Sequence, residues 1–176
     1  MKGGFAKPSA PKNETMVKII LQTKIQAPRE RVFDLARSID LHKASTSKTN
    51  EKAIEGRVSG LIGLNETVTW RAKHFGIYQK LKVQIVEYDR PKMFKDVMLK
   101  GTFKSMHHTH SFEEENDFTI MNDVFEFESP LGFLGKIAEV LFLKKYMTNF
   151  LAKKNQTLKE VAESNQWKTL LNENLD

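Results

Sequence analysis

Residues 66–85 read ETVTWRAKHFGIYQKLKVQI, and polarity alternates along them with a period of two. Val68, Trp70, Ala72 and His74 fall on one side, against Thr67, Thr69, Arg71 and Lys73. Beyond Gly76, Ile77, Gln79, Leu81, Val83 and Ile85 alternate with Tyr78, Lys80, Lys82 and Gln84. One apolar face and one wet face is the pattern of an antiparallel sheet. The pattern continues downstream. MFKDVMLKG (93–101) offers Phe94, Asp96 and Met98 on one face. FKSMHHTHSF (103–112) separates Met106, His108, His110 and Phe112 from Ser105, His107, Thr109 and Ser111. DFTIMNDVFEF (117–127) groups Thr119, Met121, Asp123, Phe125 and Phe127. Turn signals at Gly76, YDRPK, Gly101 and EEEND divide these strands into a meander.

Upstream, VKIILQTKIQ (17–26) is a first strand, and Pro28 suits the first turn of a helix that places Val32, Phe33, Ala36 and Ile39 at helical spacing. A short helix or loop follows through DLHKASTSKTNEK. After Pro130, Leu134, Ile137, Ala138, Leu141, Phe150, Leu151, Leu158 and Val161 fall mostly at helical spacing. The first half of this helix is apolar nearly all round, which predicts deep packing. A membrane-surface helix with Lys136, Lys144 and Lys145 on its charged side is the weaker alternative. The expected fold is α+β: a curved antiparallel sheet wrapped around a long C-terminal helix, with two short helices after strand 1. The domain is expected over residues 16–163, between a disordered N-terminal tail, 1–15, and a C-terminal tail, 164–176.

Composition narrows the function. The absence of cysteine excludes disulfides, thiolate zinc sites and thiol nucleophiles. No stretch approaches a membrane-spanning helix, and residues 1–15 lack the apolar core of a signal peptide, so a soluble cytoplasmic protein is expected. The net charge of +6 is spread along the chain as lysine on solvated faces, without the clustered arginines and aromatic residues of a nucleic-acid binder.

The order of elements resembles the START-like, helix-grip fold of the SRPBCC superfamily, and more narrowly its bacterial cyclase/dehydrase-like proteins. The resemblance rests on IQAPRERVFDLARSIDLH, EGRVSGLIGLNETVTWRAKHFG, MFKDVMLKGTFKSMHHTHSF and TIMNDVFEFESPLGFLG, which span most of residues 16–151. One departure is LNE at 64–66, where the resembled proteins often carry a glycine. The superfamily holds both lipid or hormone carriers and polyketide cyclases, so the resemblance implies a cavity between sheet and helix but leaves the activity open.

Three of the five histidines crowd into SMHHTHSF (105–112). His107 is expected to face solvent, and His108 and His110 to face inward. Hairpin geometry, with EEEND as the turn, predicts His108 opposite Asp123, His110 opposite Met121 and Asp96 beside His108. Such a row admits several readings. It can be a structural network, since buried carboxylates need partners. It can also supply the polar groups of a ligand pocket. A His–Asp pair could serve cyclase or dehydratase chemistry, and His108 with His110 could bind a metal. The main reading is a binding protein for a small hydrophobic molecule, with no cofactor. Its pocket residues are expected to be Trp70, His74, Asp96, Met106, His108, His110, Phe112, Met121 and Asp123.

Overall fold

The structure, a computed structural model, describes residues 16–46, 49–129 and 136–172; side chains in the last segment are described from 142 to 171. The N-terminal tail, Pro130 and Leu134, and the side chains of Ile137, Ala138 and Leu141, lie outside the described residues. Among those described, seven strands form one sheet: β1 (Val17–Ile25), β2 (Lys52–Gly56), β3 (Thr67–His74), β4 (Ile77–Asp89), β5 (Met93–Lys100), β6 (Ser105–Glu115) and β7 (Phe118–Glu128). Their order, β1-β7-β6-β5-β4-β3-β2, is antiparallel throughout. Between β1 and β2 lie α1 (Arg29–Ala36) and α2 (Ile39–Ser45), and the long α3 (Lys136–Glu163) follows β7. This is the helix-grip arrangement expected from the order of elements.

Strand alternation carries through to burial. In β7 every second residue from Thr119 to Phe127 is buried. Register shifts between β4 and β5, and between β2 and β3, mark bulges that bend the sheet. One end of the curved sheet is filled by α1, whose Phe33 meets Tyr88, Phe94 and Phe112 edge-on at 5.3–5.5 Å. Ser38 caps α2, its Oγ accepting from the Leu41 amide at 3.2 Å. In the LNE turn, Asn65 takes the left-handed conformation (φ 64°) that asparagine tolerates better than most residues.

The β6–β7 register differs from the sequence estimate. The turn is only Asn116–Asp117, with Asn116 left-handed (φ 55°), so β6 runs through the three glutamates of the EEEND segment and β7 starts directly after it. His110 therefore pairs with Asp123 and Phe112 with Met121, while His108 pairs with Phe125. The slip is two residues, which preserves every side chain's face. The Asp96–His108 pairing is as estimated.

Over residues 142–150, helix α3 is also less deeply packed than the composition of its first half suggests. Phe142 is 63 % exposed, and Leu143, Tyr146, Met147 and Phe150 are only partly buried. Leu151, Asn155, Leu158, Val161 and Ala162 are buried against the core. Leu143, Met147 and Phe150 pack against the margin of the core and also line a cavity. Past Glu163 the packed unit continues into α4 (Trp167–Asn172), whose Trp167 receives the Arg31 guanidinium on its ring at 4.1 Å. Trp167, Leu170 and Leu171 pack against the core.

Candidate functional site

Two polar regions lie between sheet and helix. The first is built on Asp123, placed inward by β7 with its side chain 2 % exposed. His108 Nε2 lies 3.1 Å from Asp123 Oδ1, and His110 Nδ1 lies 2.6 Å from the same oxygen. Asn155 Nδ2 donates to Oδ2 at 2.6 Å from α3. His110 Nε2 faces Asp96 Oδ2 at 3.7 Å. Asp96, the two histidines and Asp123 come from three neighbouring strands and Asn155 from α3, so the cluster ties those strands to the helix.

Burial works against charge on His110, but Asp123 and Asp96 outweigh it and push its pKa up to about 9. His110 is therefore an imidazolium between two carboxylates. Burial and the His110 charge push His108 down, leaving it a neutral donor to Asp123. Burial alone would raise Asp123; the His110 charge and the two histidine hydrogen bonds hold it far below the usual carboxylate range. Asp96 is likewise lowered, its burial overcome by His110, His108 and Lys154.

Asp96, His108 and His110 each bring one potential ligand atom within 4.8 Å of the others. A cation there would have to displace the His110 proton and lie near the Lys154 ammonium. This donor set suits a proton better than a metal ion. The adjoining cavity, lined by His108, His110, Met121, Lys154 and Asn155 among others, measures about 30 Å³. That is room for about two waters.

The second region is larger and mostly apolar. A cavity of about 390 Å³ opens between β3–β4 and the first half of α3. Trp70, Ala72, Leu81 and Phe103 line its sheet side; Leu143, Tyr146, Met147 and Phe150 line its helix side. His74 Nδ1 and the Tyr146 hydroxyl meet at 2.7 Å across the gap. Burial lowers the His74 pKa, so its imidazole is neutral. At the β3–β4 turn Phe75 adopts a left-handed conformation (φ 52°), uncommon for an aromatic residue. Its ring lies 4.7 Å from Tyr146 and 5.5 Å from Phe142, so the turn leans its side chain onto α3 at the rim. A backbone held in a sparsely populated region beside a cavity is a mark of functional sites.

A relay of buried groups joins the two regions. Lys154 Nζ donates to His42 Nδ1 at 3.0 Å, which leaves the imidazole proton on Nε2. His42 stacks on Trp70 at 3.9 Å, and its Nε2 lies 3.1 Å from Glu51 Oε2. Neither atom of that last pair has an aligned hydrogen-bond partner. Burial would raise Glu51, but His42, Lys154 and His74 together lower it, and it stays ionised at the cavity wall. Burial and the Lys154 charge lower His42, and burial lowers Lys154.

The nine residues expected in the pocket therefore divide. Trp70 and His74 line the large cavity. His108, His110 and Met121 line the small one. Asp96 and Asp123 belong to the ion-pair cluster, and Met106 and Phe112 are buried in the core. Sequence reasoning missed Glu51, Phe75, Tyr146 and Lys154. Tyr146 and Phe150 share a helix face at i, i+4 spacing, a signal that could have found them. Glu51 sits in a polar loop and Lys154 in KKNQ, where nothing distinguishes either from a solvated charge.

No protein-family model and no curated protein sequence matches the chain. Solved structures do match in fold. The protein TTHA0849 from Thermus thermophilus aligns at TM-score 0.67 and 19 % identity, covering 81 % of this chain and 94 % of that one. Major latex-like protein 151 from Panax ginseng aligns at TM-score 0.63 and 16 % identity, covering 85 % and 99 %. Ara h 8.0201 aligns at TM-score 0.58 and 10 % identity, covering 82 % and 98 %. The chain has the helix-grip, Bet v 1-like fold. At these identities the likeness establishes the fold alone. Among the described residues, no helix is long and apolar enough to cross a membrane.

Proposed function

We propose that this protein binds a small hydrophobic or amphipathic molecule in the cavity between β3–β4 and α3, as a cytoplasmic binding protein of the cyclase/dehydrase-like SRPBCC type. The observation that carries this reading is the cavity itself. Its volume of about 390 Å³ falls within the range of small-molecule sites, about 300–1,000 Å³. Its walls are aromatic and aliphatic, with a few polar groups, His74, Tyr146, Gln79 and Glu51, to orient a ligand. What weighs against a His–Asp enzyme is position. The Asp123 histidines belong to a cluster whose partners are already in place, and they do not line the large cavity.

Native mass spectrometry of the purified protein, compared with its denatured mass, tests the proposal. An organic adduct lost on denaturation, or saturable uptake of a neutral fluorescent dye such as phenylnaphthylamine, is the expected result. Absence of both would contradict a binding function.

A further inference from the structure

The large cavity has one feature that a purely apolar carrier does not need. Glu51 lines it with a side chain only 7 % exposed, and the group nearest its Oε2, His42 Nε2 at 3.1 Å, is out of hydrogen-bond alignment. Leaving a buried carboxylate short of partners is costly, and such groups are normally fully paired. The neighbouring charges do not cancel it. Glu51, Asp96 and Asp123 supply three buried carboxylates, which face the cations Lys154 and His110. His42, His74 and His108 are all shifted toward the neutral form. Lys154 donates to His42, and His110 is held by Asp123 and Asp96, so both cations are already engaged. Glu51 is the carboxylate of the three that lines the large cavity. Lys80 also lines that cavity, but it is an exposed residue of β4.

The cavity that Glu51 lines carries five aromatic side chains, Trp70, Phe75, Phe103, Tyr146 and Phe150, among aliphatic ones. Aromatic faces with a buried anion form a receptor for an organic cation, because ring quadrupole and carboxylate attract the same charge. We propose that the cavity is selective for an amphipathic amine, with the protonated nitrogen seated at Glu51 and the apolar body between Trp70 and Phe150. This rests on the binding function proposed above and names the chemical class of its ligand.

Three near-isosteric probes separate the possibilities: tryptamine, a cation; tryptophol, neutral; and indoleacetate, an anion. Each would be titrated against the full-length protein by competition with phenylnaphthylamine at neutral pH. Tryptamine is expected to bind more tightly than tryptophol by about tenfold or more, the scale of a hydrogen bond to a charged group. Indoleacetate should be weakest. Glu51→Gln should erase the tryptamine advantage, bringing tryptamine and tryptophol to similar affinities. Equal or tighter binding of tryptophol or indoleacetate by the wild-type protein would overturn the amine assignment and leave the binding function standing. Failure of the dye and all three probes to bind would overturn both. The wild-type comparison stands even if the Gln variant folds poorly.

Discussion

The Asp123 cluster and the Trp70–Tyr146 cavity lie between the same sheet and the same helix, yet they solve opposite problems. Around Asp123 the carboxylate oxygens have partners at 2.6–3.1 Å, and the adjoining space is about 30 Å³. Around Tyr146 there is about 390 Å³, with polar groups spaced along apolar walls and Glu51 Oε2 lacking an aligned partner. The saturated network ties the strands to α3, whereas the unsaturated, roomy region is the one proposed above to bind a ligand.

The largest expected effect follows from removing the centre of the saturated region. Asp123→Ala leaves the His110 imidazolium mostly buried beside Asp96 alone. Denaturant unfolding should show a loss of about 3–5 kcal/mol, the scale for breaking a buried ion pair. An effect below about 1 kcal/mol would mean the cluster does not hold the strands to α3. A smaller stability effect and a larger binding effect are expected of Ala72→Phe, which adds a ring at a buried position on the cavity's sheet side. Dye binding should be largely lost, with stability lowered by about 1–3 kcal/mol, the scale of overpacking.

A smaller effect concerns pH. The His110 pKa is raised by the fold from its ordinary 6.5 to about 9. Its stabilising contribution is full below about pH 6.5 and is lost as pH rises through about 9. Lys154, whose pKa is lowered, acts in the opposite sense over part of the alkaline range. The difference between wild type and His110→Gln isolates the histidine. Wild type should lose stability relative to the variant between pH 6.5 and 9, and parallel curves would show that His110 carries no extra proton. The smallest effect belongs to Tyr146→Phe, which removes the hydroxyl that meets His74. Stability should fall by about 1 kcal/mol or less, and ligand affinity by less than about tenfold.

The two regions also differ in how far they were legible in the sequence. Strand periodicity alone put Asp96, His108, His110 and Asp123 on one inner face, because alternation along adjacent strands survives a two-residue slip in register. The exact partners were not legible, since the length of the EEEND turn is set by which of its residues takes the left-handed conformation. The cavity was less readable still. Trp70 and His74 came from a strand, but Glu51 comes from a loop, Phe75 from a turn, and Tyr146 and Phe150 from α3. Their convergence depends on where the helix crosses the curved sheet, which no local pattern encodes. Lys154 and Asn155 show the same limit: KKNQ reads as a solvated run, yet Asn155 is buried on Asp123 and Lys154 donates to His42.

Methionine-methyl NMR tests most directly which region takes the ligand, because Met147 lines the large cavity and Met121 the small one. On titration with phenylnaphthylamine the Met147 methyl resonance should shift saturably, and that of Met121 should stay in place. A saturable shift at Met121 with Met147 unmoved would place the ligand at the histidine cluster and contradict the division of the two regions.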